Sequence, residues 1–298
     1  MNPLRPARNI SAGATAVPNI CLKLSNKAEN VLLVRQALSG LAEVILLDPV
    51  ELNDLNTAVT EACNNVVLHA YDGAEGPLEV EIHACPPALR VVVRDYGGGI
   101  KPRVQRAEDA PGGIGLPVIR ALAHRAEFVD LDPGPGTEVR MEFATQTAPT
   151  LEEPAAELQF EFPHTDAYDA PGAETMALAI APSALARSVL PRVLSGLAAR
   201  AHFSTDRIAE TQLLADALIT RTDGSLRASH LNIDLNVAPR LLDLRLGPLN
   251  AGRTDALLGD HSDGGSLCGM LDRLADAYRV APAGGASEVL ALQLAARR

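Results

Sequence analysis

The chain has 298 residues, of which 47% are hydrophobic and 21% charged, enough apolar material for proper cores and too much for a disordered protein. A formal net charge of −11, with no clustered Lys and Arg, argues against nucleic acid as a partner, and no apolar run reaches the length of a membrane span. Arg5 and Arg8 near the N-terminus are not followed by an apolar stretch of the kind a secretion signal needs, so the expectation is a soluble, cytoplasmic protein.

Aromatic residues make up only 3% of the chain, which makes the cores aliphatic. Cys21, Cys63, Cys85 and Cys268 lie far apart and form no CxxC pair, so they read as buried thiols rather than zinc ligands or a redox pair. In chain order, the pattern predicts a short strand at Ile20-Cys21-Leu22-Lys23-Leu24, then helices over about 28–43 and 52–70. Strands follow at 78–84 and 89–95, with clean alternation in Leu78-Glu79-Val80-Glu81-Ile82. A loop, a helix over about 113–125 and two terminal strands complete the first half.

The stretch Ala144–Gly172 is rich in Pro, Thr, Ala and Glu and breaks the periodicity, as an interdomain linker does. We therefore divide the chain into a first domain at 15–145, a linker at 146–173 and a second domain at 174–298. Phrases recur across that boundary. Leu38-Ser39-Gly40-Leu41-Ala42 returns as Leu194-Ser195-Gly196-Leu197-Ala198, and Ile20–Leu24 returns as Met176–Ile180, both at an offset of 156 positions. A constant offset is what a domain duplication leaves. The expected fold class is α+β, a two-layer arrangement with a mixed sheet and helices on one face, in tandem with a degenerate second copy.

Candidate chemistry gathers in the first half. On the second helix, Leu55, Val59, Ala62, Cys63 and Val66 form an apolar face, and Glu61, Asn65 and His69, spaced i, i+4, i+8, form a polar stripe along its edge. Alone, such a stripe reads as a solvated face. Asp95 ends a strand and runs into Tyr96-Gly97-Gly98-Gly99-Ile100, a carboxylate placed to accept from an exocyclic amine; alone, this is an ordinary Asp-Gly turn. Gly112-Gly113-Ile114-Gly115-Leu116 opens a helix whose free amides could hold phosphate oxygens, and Gly134-Pro135-Gly136-Thr137 leads into the last strand.

Taken together and in this order, Glu61-Ala62-Cys63-Asn64-Asn65 with His69-Ala70-Tyr71, Asp95-Tyr96-Gly97-Gly98-Gly99, Gly113-Ile114-Gly115-Leu116 and Gly136-Thr137 resemble the motif set of the GHKL ATPases. Among these, the anti-sigma-factor serine/threonine kinases are the most similar, over nearly all of residues 20–145. The resemblance implies a Bergerat-type fold binding ATP and Mg²⁺. Asn65 would ligate the metal, Glu61 would orient or deprotonate the attacking hydroxyl, and Asp95 would read the adenine amino group. Gly97 and Gly99, with Ile100, would let backbone approach base and ribose. Gly113, Ile114, Gly115, Leu116 and Thr137 would attend the phosphates, under a lid formed by 101–111.

The resemblance also implies partners: a small anti-anti-sigma-like protein phosphorylated on serine or threonine, and a sigma factor held in another state, with Arg35 on the contact surface. A module that binds ATP and grips a partner without transferring phosphate is the alternative. A histidine kinase fragment is disfavoured, because no helix bearing a phospho-accepting His precedes the domain. In the second half, Asp216 is expected opposite Glu61 and Thr220 opposite Asn65, and Arg245-Leu246-Gly247-Pro248-Leu249 stands where the Asp95 motif stood. That copy is expected to keep the fold without binding ATP and to serve as a docking surface or an internal mate, giving a homodimer or an intramolecular pseudo-dimer. An unrelated α/β domain is the alternative.

Overall fold

The computed structural model describes residues 17–85, 87–98, 115–132, 134–145, 151, 173–227, 229–258, 266–283 and 286–297. The first half contains β1 (Ile20–Ser25), α1 (Asn30–Val44), α2 (Pro49–Asn65), β2 (Pro77–Cys85), β3 (Ala88–Asp95), α3 (Gly115–Leu122), β4 (Arg125–Asp130) and β5 (Thr137–Ala144). The second contains β6 (Glu174–Ile180), α4 (Ala186–Arg200), α5 (Thr205–Thr222), β7 (Leu231–Ala238), β8 (Leu241–Asn250), α6 (Arg253–Leu258), α7 (Leu267–Leu274), β9 (Ala277–Pro282) and β10 (Ser287–Ala295). All ten strands belong to one sheet, in the order β4-β5-β3-β2-β1-β6-β7-β8-β10-β9.

Where a mixed sheet was expected, every pair of neighbouring strands runs antiparallel. The reason lies in the connections. Two helices back to back, such as α1 and α2, return the chain to the end it left, so the next strand must run the opposite way.

One cross-strand row crosses the whole sheet: Phe128, Val139, Val93, Val80, Leu22, Leu178, Ile233, Leu246, Leu290 and Val280. Every member is apolar, and this face carries the helices, so α1, α2, α4 and α5 bury their Leu, Val and Ala side chains against it. Each fully buried Val or Leu contributes about 1.5–3 kcal/mol. The adjacent rows face the other way and are charged in the first half. There Arg94 lies 3.4 Å from Glu79, 3.1 Å from Glu81 and 2.6 Å from Glu138, and Arg90 lies 3.2 Å from Glu142. Period-two alternation thus separates core from open face on each strand.

Helix α2 begins with a capping box. The Asp48 carboxylate accepts from the amides of Val50 and Glu51, the Glu51 side chain accepts from the Asp48 amide, and Pro49 occupies the first turn. The helix does not run on to residue 70 as predicted. It ends at Asn65, and Val66–Ala70 form one wider π turn. Because that turn changes the angular step, the i, i+4, i+8 stripe breaks: Glu61 and Asn65 are half-buried, whereas His69 is exposed. Among the described residues, the last helix of the half spans Gly115–Leu122. Cys21 and Cys63 are buried free thiols, each pushed up to about 12 by burial, as the reading of inert thiols expects. Among the described residues, no helix is long and apolar enough to cross a membrane.

Candidate functional site

Two clusters of the expected residues form, joined by the π turn. In the first, α2 and α3 pack side by side and bring Gly115 against Glu61 and Asn65. A Cβ placed on Gly115 would sit 2.9 Å from Glu61 Oε2 and 3.4 Å from Asn65 Oδ1, so only the missing side chain lets the start of α3 approach these two groups. The Asn65 Nδ2 is buried and has no hydrogen-bond partner among the described residues. A buried polar atom left unpaired costs about 1–3 kcal/mol, and sites that await a ligand are where such atoms are tolerated.

The second cluster surrounds Asp95 at the end of β3. The side chain is only 6% exposed, and Oδ1 accepts from the Gly97 amide at 2.9 Å. Burial pushes its pKa up from the ordinary carboxylate range, opposed by hydrogen bonds from the amides of Gly97 and Thr137. Gly136, at φ +131°, passes so close that a Cβ would lie 2.2 Å from the Asp95 carbonyl oxygen. That approach and that φ explain the glycine. Tyr71 braces the region, accepting from the Tyr96 amide at 2.9 Å and donating to the Pro77 carbonyl.

The π turn ties the clusters together. It continues directly from Asn65, and its last carbonyl, on Ala70, accepts from the Gly98 amide at 2.9 Å. Gly97 is also pressed against that carbonyl, where a Cβ would come within 2.0 Å. Expected to let backbone approach a base, Gly97 has a reason inside the fold, the close crossing of β3's exit over the π turn.

Thr137 pairs with Asp95 across the β3–β5 ladder and gives its amide to the Asp95 carboxylate, so it stands in the Asp95 cluster. Leu116 follows Gly115 on α3 with its side chain 44% exposed. Gly99, Ile100, Gly113 and Ile114, and the expected lid at 101–111, lie outside the described residues. Tyr71 and the π turn carried no legible role in the sequence. The signal available was Tyr71 itself, six residues after Asn65 and beside a turn.

The second half answers the first at the 156-position offset of the repeated phrases, one position away from the expected pairing of Asp216 and Thr220 with Glu61 and Asn65. Pro49 and Thr205 open α2 and α5, 156 positions apart, and the buried residues Leu55, Ala58, Val59, Ala62 and Cys63 recur at that spacing as Thr211, Leu214, Ala215, Leu218 and Ile219. The positions matching Glu61 and Asn65 are therefore Ala217 and Arg221, not Asp216 and Thr220, because the buried face fixes the helix rotation.

Residues 24–143 match the family described as histidine kinase-like ATPase domain. Serine-protein kinase RsbW of Bacillus pumilus is 34% identical over 122 residues, 36% of this chain and 75% of that protein. RsbW of Listeria innocua is 35% identical over 122 residues, 37% of this chain and 78% of that protein. The anti-sigma F factor of Caldanaerobacter subterraneus is 31% identical over 130 residues, 40% of this chain and 89% of that protein.

Proposed function

This chain belongs to the family of histidine kinase-like ATPases that includes serine-protein kinase RsbW and the anti-sigma F factors, and we propose that it is an ATP-dependent protein serine/threonine kinase that regulates by partner switching. Its substrate is a small antagonist protein of the anti-anti-sigma type, and in another state it holds a sigma factor. The observation that carries this reading is the meeting at one point of Gly115, Glu61 and an Asn65 whose Nδ2 has no partner among the described residues.

The residues present fit a nucleotide with its metal: an amide whose buried Nδ2 has no partner among the described residues and can donate to a phosphate oxygen, its oxygen left for the metal, a carboxylate beside it, a glycine that leaves room, and a second carboxylate at the end of β3. ATP with Mg²⁺ supplies the transferable phosphoryl group when bound. Asn65 would hold the metal through its amide oxygen, and the Gly115 amide at the start of α3 would hold a phosphate oxygen. The Glu61 carboxylate orients the serine hydroxyl and receives its proton. Asp95 would accept a hydrogen bond from the adenine amine, and its low exposure would strengthen that bond by keeping water away. Positioning and charge neutralisation are most of what phosphoryl transfer needs, so no covalent nucleophile is required.

The test is transfer of label from γ-labelled ATP to small proteins encoded beside this one. Asn65→Ala should abolish metal-dependent nucleotide binding. Glu61→Ala should keep binding and lower transfer by roughly 10²- to 10⁴-fold, the share of a positioned base. Nucleotide binding with no transfer by the unaltered protein would assign the site to a non-phosphorylating module instead, and undiminished transfer in Glu61→Ala would remove Glu61 as the base.

A further inference from the structure

Strand β1 sits at the centre of the sheet, and what it pairs with is the rest of its own chain. Read outward from the centre, β1-β2-β3-β5-β4 on one side is answered by β6-β7-β8-β10-β9 on the other. At the seam Leu22 lies opposite Leu178, 156 positions on, the same offset that separates Asn30 from Ala186 at the starts of α1 and α4. Leu22 therefore faces its own counterpart, and Cys21 and Lys23 each face the counterpart of the other, Ala179 and Ala177, which is the signature of a two-fold axis.

The helices above obey the same axis. A Cβ on Gly40 of α1 would lie 2.5 Å from the Ser188 carbonyl oxygen and 2.8 Å from the Val189 Cα of α4, while the counterpart of Gly40, Gly196, faces Leu33 of α1. The seam is closed by a polar cluster. The Glu174 carboxylate accepts from Ser25, from Asn30 Nδ2 at 2.6 Å and from Arg200, and Arg200 also donates to Asn30 Oδ1 at 2.7 Å. Glu174 is 8% exposed and Asn30 fully buried. This is a packed, desolvated joint, unlike the small polar contacts of domains that move independently.

Chemistry is not shared across the axis. The helix spacing puts Ala217 and Arg221 where the first half has Glu61 and Asn65. Carrying the register outward through Val80 and Ile233, then Val93 and Leu246, sets Pro248 at the place of Asp95. The second half thus has a methyl for the base, a cation where a metal ligand would stand, and no carboxylate for an adenine amine.

We infer that the second half is a built-in mate: it fills the β1 edge and α1 face that would otherwise receive a second copy of this chain, and leaves the molecule a monomer with one nucleotide site. An unpaired edge strand beside an apolar helix face is a ready surface for self-association. Here both are already covered. The count of one site rests on the nucleotide reading given above, whereas the monomeric state does not.

The experiment uses the full chain. Sedimentation velocity across the micromolar range should give one species near 31.3 kDa, and native mass spectrometry with Mg²⁺ and a non-hydrolysable ATP analogue should show one nucleotide per chain. Hydrogen exchange should find the amides of Ile20–Ser25 and Glu174–Ile180 as slow as those of Val91–Val93 inside the sheet. A dimer, two nucleotides per chain, or rapid edge-like exchange of β1 overturns the inference. No nucleotide bound at all would overturn the kinase reading, and mass and exchange would still decide whether the second half is the mate.

Discussion

Replacing Gly115 with Ala separates stability from activity. The new methyl would start 2.9 Å from Glu61 Oε2, and a carbon and a carbonyl-type oxygen settle at about 3.3–3.6 Å, so the carboxylate must retreat by roughly half an ångström. Glu61 sits at the end of a flexible side chain, so the fold yields at little cost. The φ of Gly115 is outside the left-handed region, and Ala at the start of a helix constrains the unfolded chain, which should stabilise the protein by about 0.4–1 kcal/mol and raise Tm by about 1–4 °C. Catalysis is less forgiving. A misplacement of 1 Å costs on the order of 10²-fold, so half of that should lower phosphoryl transfer about tenfold, or about 1.4 kcal/mol. Circular dichroism melts and single-turnover transfer of labelled phosphate read the two effects. A variant with unchanged or raised Tm and undiminished transfer would show that Glu61 does not act beside α3.

Asp95→Asn should weaken ATP binding by about 10- to 100-fold, the value of a hydrogen bond to a charged group, and erase the preference for ATP over GTP in competition titrations; retained preference would remove Asp95 from base reading. Asp234, 5% exposed and with Oδ2 unpartnered among the described residues, has its pKa pushed from 3.8 up to about 6 by burial, against the pull of Arg245. Its folded-state pKa is raised, so the native form holds the proton more tightly and stability falls as pH climbs from about 4 to about 6, by up to about 3 kcal/mol. Asp234→Asn should therefore stabilise the protein at pH 7 and much less at pH 4 in urea denaturation, and an equal effect at both would contradict the assignment. Gly40→Ala pushes a methyl into backbone atoms of α4 that cannot swing aside, so it should destabilise by about 1–3 kcal/mol and lower Tm by several degrees; an unchanged melt would mean that the helices do not cross so closely.

Much of the first half was legible because its signals are local. Alternation in Leu78–Ile82 and the apolar stripe from Leu55 to Val66 report neighbouring residues, and they placed β2 and α2 to within a few positions. Glu61 and Asn65 were legible for the same reason, sharing one turn of one helix. The π turn was not, because no residue in Val66–Ala70 marks the extra backbone step, and the predicted helix ran through it. Thr137 was assigned by its motif, but its surroundings are set by β3–β5 register, which a single strand does not encode. The one-position error at Asp216 and Thr220 has another origin: those two positions imply an offset of 155, whereas the repeated phrases themselves and the burial along α5 both give 156. Least legible was the seam, since β1 and β6 look like any alternating strands and only the fold makes them neighbours.

That seam sets a timetable for synthesis. Ser25 and Glu174, which bond across it, are 149 positions apart, so at about 5–20 residues per second a ribosome spends roughly 10–30 s between making one strand and the other. Throughout that interval the nascent first half carries β1 as a bare rim, with Lys23 its one charged residue, and a crowded polysome offers many identical rims nearby. Slowing translation downstream of β5, or depriving cells of holding chaperones, should therefore shift newly made protein toward insoluble aggregates long before it alters the melting point of molecules already folded.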